Sequence, residues 1–255
     1  MTVMNRTRRE QPTLLTAHAG FAAPGGVSDK SEDNTIDCLI RAINLGAEAI
    51  EVDVSGVEGP DGLEFVITHF SEAPPADAPH LREIFDLLLQ RHPRSDQVSE
   101  NSRRVRLQLD VKLDGAIPAI FREIEAAQFP WDRIILAGDS TYAHVQQVLP
   151  AIREKLALGM ELWMNPDVIS SYYEMIFHTE QFIDRIQKLG LQPFAVNSYY
   201  KVLTDRILDQ LTEAGLRASV WTVNDPRSLK EQFSRGLYNI TSRSPALLAL
   251  RGAKP

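Results

Sequence analysis

Strand-like and helix-like segments alternate along this chain, and that alternation leaves it few folds. Short apolar, β-rich runs recur at 14–17, 49–54, 63–68, 105–111, 133–137, 156–160, 194–196, 218–223 and 238–241, and a helical stripe follows most of them. Strands linked through helices run parallel, and a parallel sheet needs cover on both faces. About eight such units in 255 residues predict an α/β protein, a single-domain TIM-type (β/α)8 barrel. The run at 63–68 is the surplus strand, expected to extend or flank the second unit. A doubly wound sheet is the competing solution, yet the chain has no G-x-G-x-x-G between a strand and a helix and no Walker sequence. Any phosphate site must therefore be built from side chains.

The helical stripes supply starts and stops. Asn34 reads as the cap of a helix in which Ile36, Ile40 and Ile43 share a face, and Gly46 ends it. Leu81, Ile84, Phe85 and Leu88 make a second stripe, and further helices are expected at 117–127, 142–154, 180–189, 203–214 and 228–234. Residues 1–255 read as one barrel domain, with 1–12 as an N-terminal extension. Two stretches break the rhythm, 20–33 and 161–179. Both should leave from C-terminal strand ends, the active face of a barrel, with 161–179 as an insertion at its mouth.

Charge and cysteine content exclude several classes. A formal charge of −7, with basic residues gathered only around Arg6, Arg8 and Arg9 and around Arg103 and Arg104, argues against a nucleic-acid partner. The single cysteine, Cys38, permits no intramolecular disulfide. No apolar stretch approaches the ~20 residues that span a bilayer, and the run at 13–17 is too short for a signal segment, so a cytoplasmic chain without membrane insertion is expected.

Chemistry gathers at the strand ends. His18 closes the first run, Glu51 and Asp53 lie on the second, His69 follows the third, and Asp110 and Lys112 close the fourth. Glu51 and Asp53 are two apart in a strand and so share a side, with Ile50, Val52 and Val54 on the covered face. Carboxylate oxygens suit a hard divalent cation, Mg2+ or Ca2+, and paired histidines can move protons at a phosphate ester. A simple ion pair between Asp110 and Lys112 is the plainer alternative for those two residues.

These residues resemble the glycerophosphodiester phosphodiesterases, over nearly the whole chain. The family's His-Arg-Gly stands as His18-Ala19-Gly20, its Pro-Glu-Asn-Thr as Glu32-Asp33-Asn34-Thr35, and its acidic pair as Glu51-Val52-Asp53. His69-Phe70 replaces His-Asp, Asp110-Val111-Lys112 replaces Glu-x-Lys, and the stretch from Val220 through Trp221 to Pro226 is close to the family pattern. The resemblance implies one divalent metal ion on Glu51, Asp53 and Asp110, with His18 and His69 as the acid–base pair. It also implies Lys112 and Asn34 as phosphate or substrate contacts and Trp221 as a wall of the substrate pocket. The implied reaction is attack of a neighbouring glycerol hydroxyl on phosphorus, then hydrolysis of the cyclic phosphate, releasing glycerol phosphate and an alcohol. Ala19 lacks the family arginine, and Lys30 or Arg243 could supply that charge instead.

Three other readings compete. One is a related phospholipase D-like enzyme acting on lysophospholipid head groups, which Asn34-Thr35 and the Trp-Thr-Val-Asn stretch disfavour. Another is a barrel that binds a phosphodiester without turning it over, which two retained histidines disfavour. The third is an interaction protein using the aromatics of 161–179.

Overall fold

Every residue from Ala49 to Ser55 is buried, as befits a strand covered on both faces. The computed structural model describes residues 13–22, 28, 30–59, 62–69, 74–91, 105–138, 142–191 and 194–250. Along them run β1 (Leu14–His18), α1 (Ile36–Leu45), β2 (Ala49–Gly59), β3 (Gly62–Ile67), α2 (Leu81–Arg91), β4 (Arg106–Val111) and α3 (Ile117–Ala126). Then come β5 (Ile134–Gly138), α4 (Tyr142–Ala157), β6 (Glu161–Met164), α5 (Pro166–Ile169), α6 (Tyr172–Phe177) and α7 (Thr179–Leu189). The chain ends with β7 (Phe194–Tyr199), α8 (Asp205–Glu213), β8 (Arg217–Trp221), α9 (Pro226–Ser234) and β9 (Asn239–Ser242).

Eight strands pair in parallel and close through β1–β2 and β1–β9, making a TIM-type (β/α)8 barrel. The surplus strand β3 lies antiparallel on the outer half of β2, from Val54↔Ile67 to Gly59↔Gly62, so it extends the second unit as expected. Alternation along β2 sorts the side chains: Ile50, Val52 and Val54 join the large core with Leu39, Ile84, Phe85 and Leu107. Ala49 belongs instead to a small cluster with Ile135, Ala137, Trp163 and Ala195. That cluster, on the same side as Glu51 and Asp53, fills the barrel interior.

The structure corrects several expectations. The strand expected at 156–160 is helix and turn, because Val145, Val148, Ile152 and Leu156 continue one buried helical stripe through α4. The sixth strand is Glu161–Met164, so 161–179 is not an insertion throughout; only the part after β6 stands outside the barrel wall, as α5 and α6. Its aromatics do not form one surface either, since Trp163 and Met175 are buried and only Tyr173 and Phe177 are exposed among the large ones. Thr35, not Asn34, caps α1, its hydroxyl accepting from Cys38 N at 3.3 Å. The fully buried residues of α1 are Cys38, Leu39 and Ala42, while Ile36 and Ile43 of the isoleucine stripe pack half-buried against the core. Residues 1–12 lie outside the described residues. Among those described, no helix is long and apolar enough to cross a membrane.

Candidate active site

Strand register assembles the acids. His18 lies beside Glu51 across β1–β2, and Asp53 lies beside Asp110 across β2–β4, all near the C-terminal strand ends. One oxygen from each of Glu51, Asp53 and Asp110 lies within 4.8 Å of the others. Lys112 caps this group from the end of β4, with Nζ 2.7 Å from Asp110 Oδ2 and 3.2 Å from Asp53 Oδ1. The ion pair between Asp110 and Lys112 is thus real, and it reaches across to Asp53 as well.

Glu51 and Asp53 are each held by a further group. Glu51 Oε2 accepts from the Ala19 amide at 2.9 Å, and Ala19 adopts a left-handed φ of 49° to present it. Asn34, freed from capping, takes a left-handed φ of 62°, donates to Asp53 Oδ2 at 2.9 Å and accepts from the Asp53 amide at 3.1 Å. Burial pushes Glu51 well above the usual carboxylate range, and the charges of Asp53 and Asp110 push it further. For Asp53 burial acts upward too, but Lys112, the Asn34 amide and the two histidines outweigh it and hold the group below its ordinary value. Oxygen donors from three acids, with no sulfur among them, fit a hard divalent cation of the Mg2+ or Ca2+ kind.

Both histidines line one cavity of about 410 Å³. His18 ends β1 and Lys30, Ser31 and Asn34 come from the segment after it, whereas His69, Pro75, Asp77 and Pro79 come from the segment after β3; Asp53 of β2 lines the cavity as well. His18 Nε2 is 3.8 Å from Glu51 Oε2, and His69 Nδ1 is 3.4 Å from Asp53 Oδ1. Burial lowers the His18 pKa to about 4, against the attraction of Asp53 and with help from Arg243, Lys112 and Lys30. Its imidazole is therefore neutral at neutral pH and can accept a proton.

Trp221 stands apart from this cavity's lining. It ends β8, its ring centroid 5.9 Å from that of Tyr199, with its indole N–H 3.4 Å from Asn197 O. Arg243 follows β9 and is buried, its guanidinium committed to Asp33, while Lys30 lines the cavity itself. Sequence reasoning named both cations but not the Asp33 pairing, which joins residues 210 positions apart. It missed Asp77 altogether, because an acid in a proline-rich loop carries no local signal of the wall it occupies.

Fold and site together define a closed parallel barrel whose mouth carries three acids, two histidines and a lysine. No protein-family model matches the chain, and no curated protein matches it significantly. Among solved structures it is similar to a glycerophosphodiester phosphodiesterase from Parabacteroides distasonis, with 18% identity over 95% of this chain and 98% of that one and a TM-score of 0.64. The glycerophosphodiester phosphodiesterase from Thermotoga maritima gives 18% identity over 94% and 98%, with a TM-score of 0.62. An Oleispira antarctica phosphodiesterase, solved with its product sn-glycerol-3-phosphate, gives 16% identity over 95% and 98%, with a TM-score of 0.66. The barrel is thus the fold of these phosphodiesterases.

Proposed function

We propose that residues 1–255 form one phosphodiesterase domain, a cytoplasmic phosphoric diester hydrolase that splits glycerophosphodiesters into glycerol phosphate and an alcohol. The observation that carries this reading is that His18, His69 and Asp53 line one cavity, with Glu51 and Asp110 clustered beside Asp53. A binding protein has no use for two proton-transfer groups in that arrangement.

Glu51, Asp53 and Asp110 would hold the divalent cation, which when bound supplies positive charge to the phosphate oxygens. Lys112 adds a fixed ammonium beside them and steadies the same oxygens. Asn34 acts through Asp53, fixing its carboxylate from both ends. The diester lies in the cavity, so that one histidine removes the proton of the attacking glycerol hydroxyl and the other gives a proton to the departing alcohol; water then opens the resulting cyclic phosphate to glycerol phosphate, with the two histidines exchanging roles. Trp221, outside the cavity lining, would meet only a substituent that extends across the mouth toward β8.

Purified protein should release glycerol phosphate from a glycerophosphodiester panel, and a chelator should stop it. Turnover confined to lysophospholipids would favour the phospholipase D-like reading. Saturable binding of diesters without turnover, with Mg2+ and Ca2+ each supplied, would favour the non-catalytic one.

A further inference from the structure

The two walls of the cavity differ in chemistry. The one after β1 is polar and carries a cation, with Lys30 and Ser31 exposed beside Asn34 and Thr35. The one after β3 is apolar and carries an anion, with Ile67, Pro75, Ala78 and Pro79 around the exposed carboxylate of Asp77. Among the described residues Asp77 makes no ion pair, whereas Asp33, from the segment after β1, is already paired with Arg243. The apolar wall is also held in place before any ligand arrives. Pro79 O accepts from Ile67 N at 2.7 Å, Pro75 O accepts from Ala78 N at 3.0 Å, and the proline rings fix the backbone between. A wall fixed in advance loses little entropy on binding.

We propose that Asp77 is a specificity-determining residue that selects diesters whose departing alcohol carries a positive charge, an amino alcohol or its quaternary ammonium form. This rests on the phosphodiesterase reading and sharpens it. The phosphate must sit near Asp53 to meet both histidines, so its two substituents point along the two walls. Glycerol, rich in hydroxyls, suits the polar side, where Ser31 and Lys30 are exposed. A cationic alcohol is repelled by Lys30 and drawn to Asp77, and its methylene or methyl groups lie against proline and alanine. An anionic alcohol meets the reverse.

The test compares kcat/KM on glycerophosphocholine and glycerophosphoethanolamine with kcat/KM on glycerophosphoglycerol, whose departing alcohol is uncharged. Wild type should prefer the cationic pair. Because Asp77 is exposed, Asp77→Asn should lower that preference by roughly 3-fold, and Asp77→Lys by about 10-fold, with the loss in KM for the cationic substrates. The preference should also shrink as salt is raised. Turnover of all three diesters with the same ratios in wild type, Asp77→Asn and Asp77→Lys would overturn the role of Asp77 and leave the hydrolase reading intact. No turnover of any diester, with metal supplied, would overturn the hydrolase reading and this selection with it.

Discussion

At His18 the proposed chemistry and the pH dependence of stability meet in one residue. With 27% of its side chain exposed, it reaches the cavity yet stays neutral down to about pH 4 because burial disfavours the imidazolium. An unfolded chain takes up that proton near pH 6.5, so between 6.5 and 4 the unfolded state binds more protons than the folded one. The sign follows: stability is full above pH 6.5 and falls as pH drops toward 4. Urea unfolding of His18→Gln should therefore show a smaller loss over that window than wild type, and equal losses would mean His18 is not buried neutral. In catalysis, His18→Ala and His69→Ala should each cost at least ~100-fold in kcat on a phosphodiester, with folds verified by circular dichroism. Full turnover in either variant removes that histidine from the mechanism.

Among the elements, β4 and β5 show how a strand end fixes the candidate ligand Asp110. Gly138 closes β5 at φ +121°, and a Cβ there would collide with the backbone N and O of Val111 and sit 3.0 Å from Asp110 Oδ1. Gly138→Ala should destabilise the fold by roughly 2–3 kcal/mol in denaturant titrations and weaken divalent-metal binding in calorimetry, since relief of the clash must move Asp110. Lost stability with unchanged metal affinity would separate Asp110 from the metal. Elements with a clean period were legible in the sequence: the two-residue step from Glu51 to Asp53 fixed their shared side, and the stripe of Leu81, Ile84, Phe85 and Leu88 is the buried face of α2. The sixth strand was not, because β6 is four residues long and starts with Glu161, while Leu156 extends the preceding helix and resembles a strand start only in isolation. Asn34 and Thr35 are both good caps; a tertiary bond to Asp53, invisible locally, decides between them. The pairing of Asp33 with Arg243 was hidden for the same reason.

At the scale of the whole molecule the barrel keeps its candidate site and a half-buried charge network at opposite ends. Glu161 starts β6, Arg106 starts β4, Arg217 starts β8 and Tyr238 precedes β9, so all four lie at the N-terminal end, away from the acids and histidines. Glu161 Oε1 is 3.0 Å from Arg106 Nη1 and 3.5 Å from Arg217 Nη1, and it accepts the Tyr238 hydroxyl at 2.6 Å. Its other oxygen accepts the Trp163 indole N–H at 2.9 Å. Burial, then the charge of Glu161, pushes the Tyr238 phenol up to about 12, so it stays a donor across the working pH range. One carboxylate thus holds two guanidiniums and two neutral donors beneath the barrel core. Removing it strands charges that are only partly exposed, so Glu161→Ala should cost about 2–4 kcal/mol, reaching below the range for breaking a fully buried pair because Arg217 is 36% exposed. The midpoint of thermal unfolding should fall while kcat, measured well below that midpoint, stays within about 2-fold of wild type, as expected for a change at the stability face of a barrel. A large fall in kcat at full folding would mean that the polar floor is coupled to the mouth through the interior side chains of Trp163, Ala195 and Ile135, and the division between the two ends would have to be abandoned.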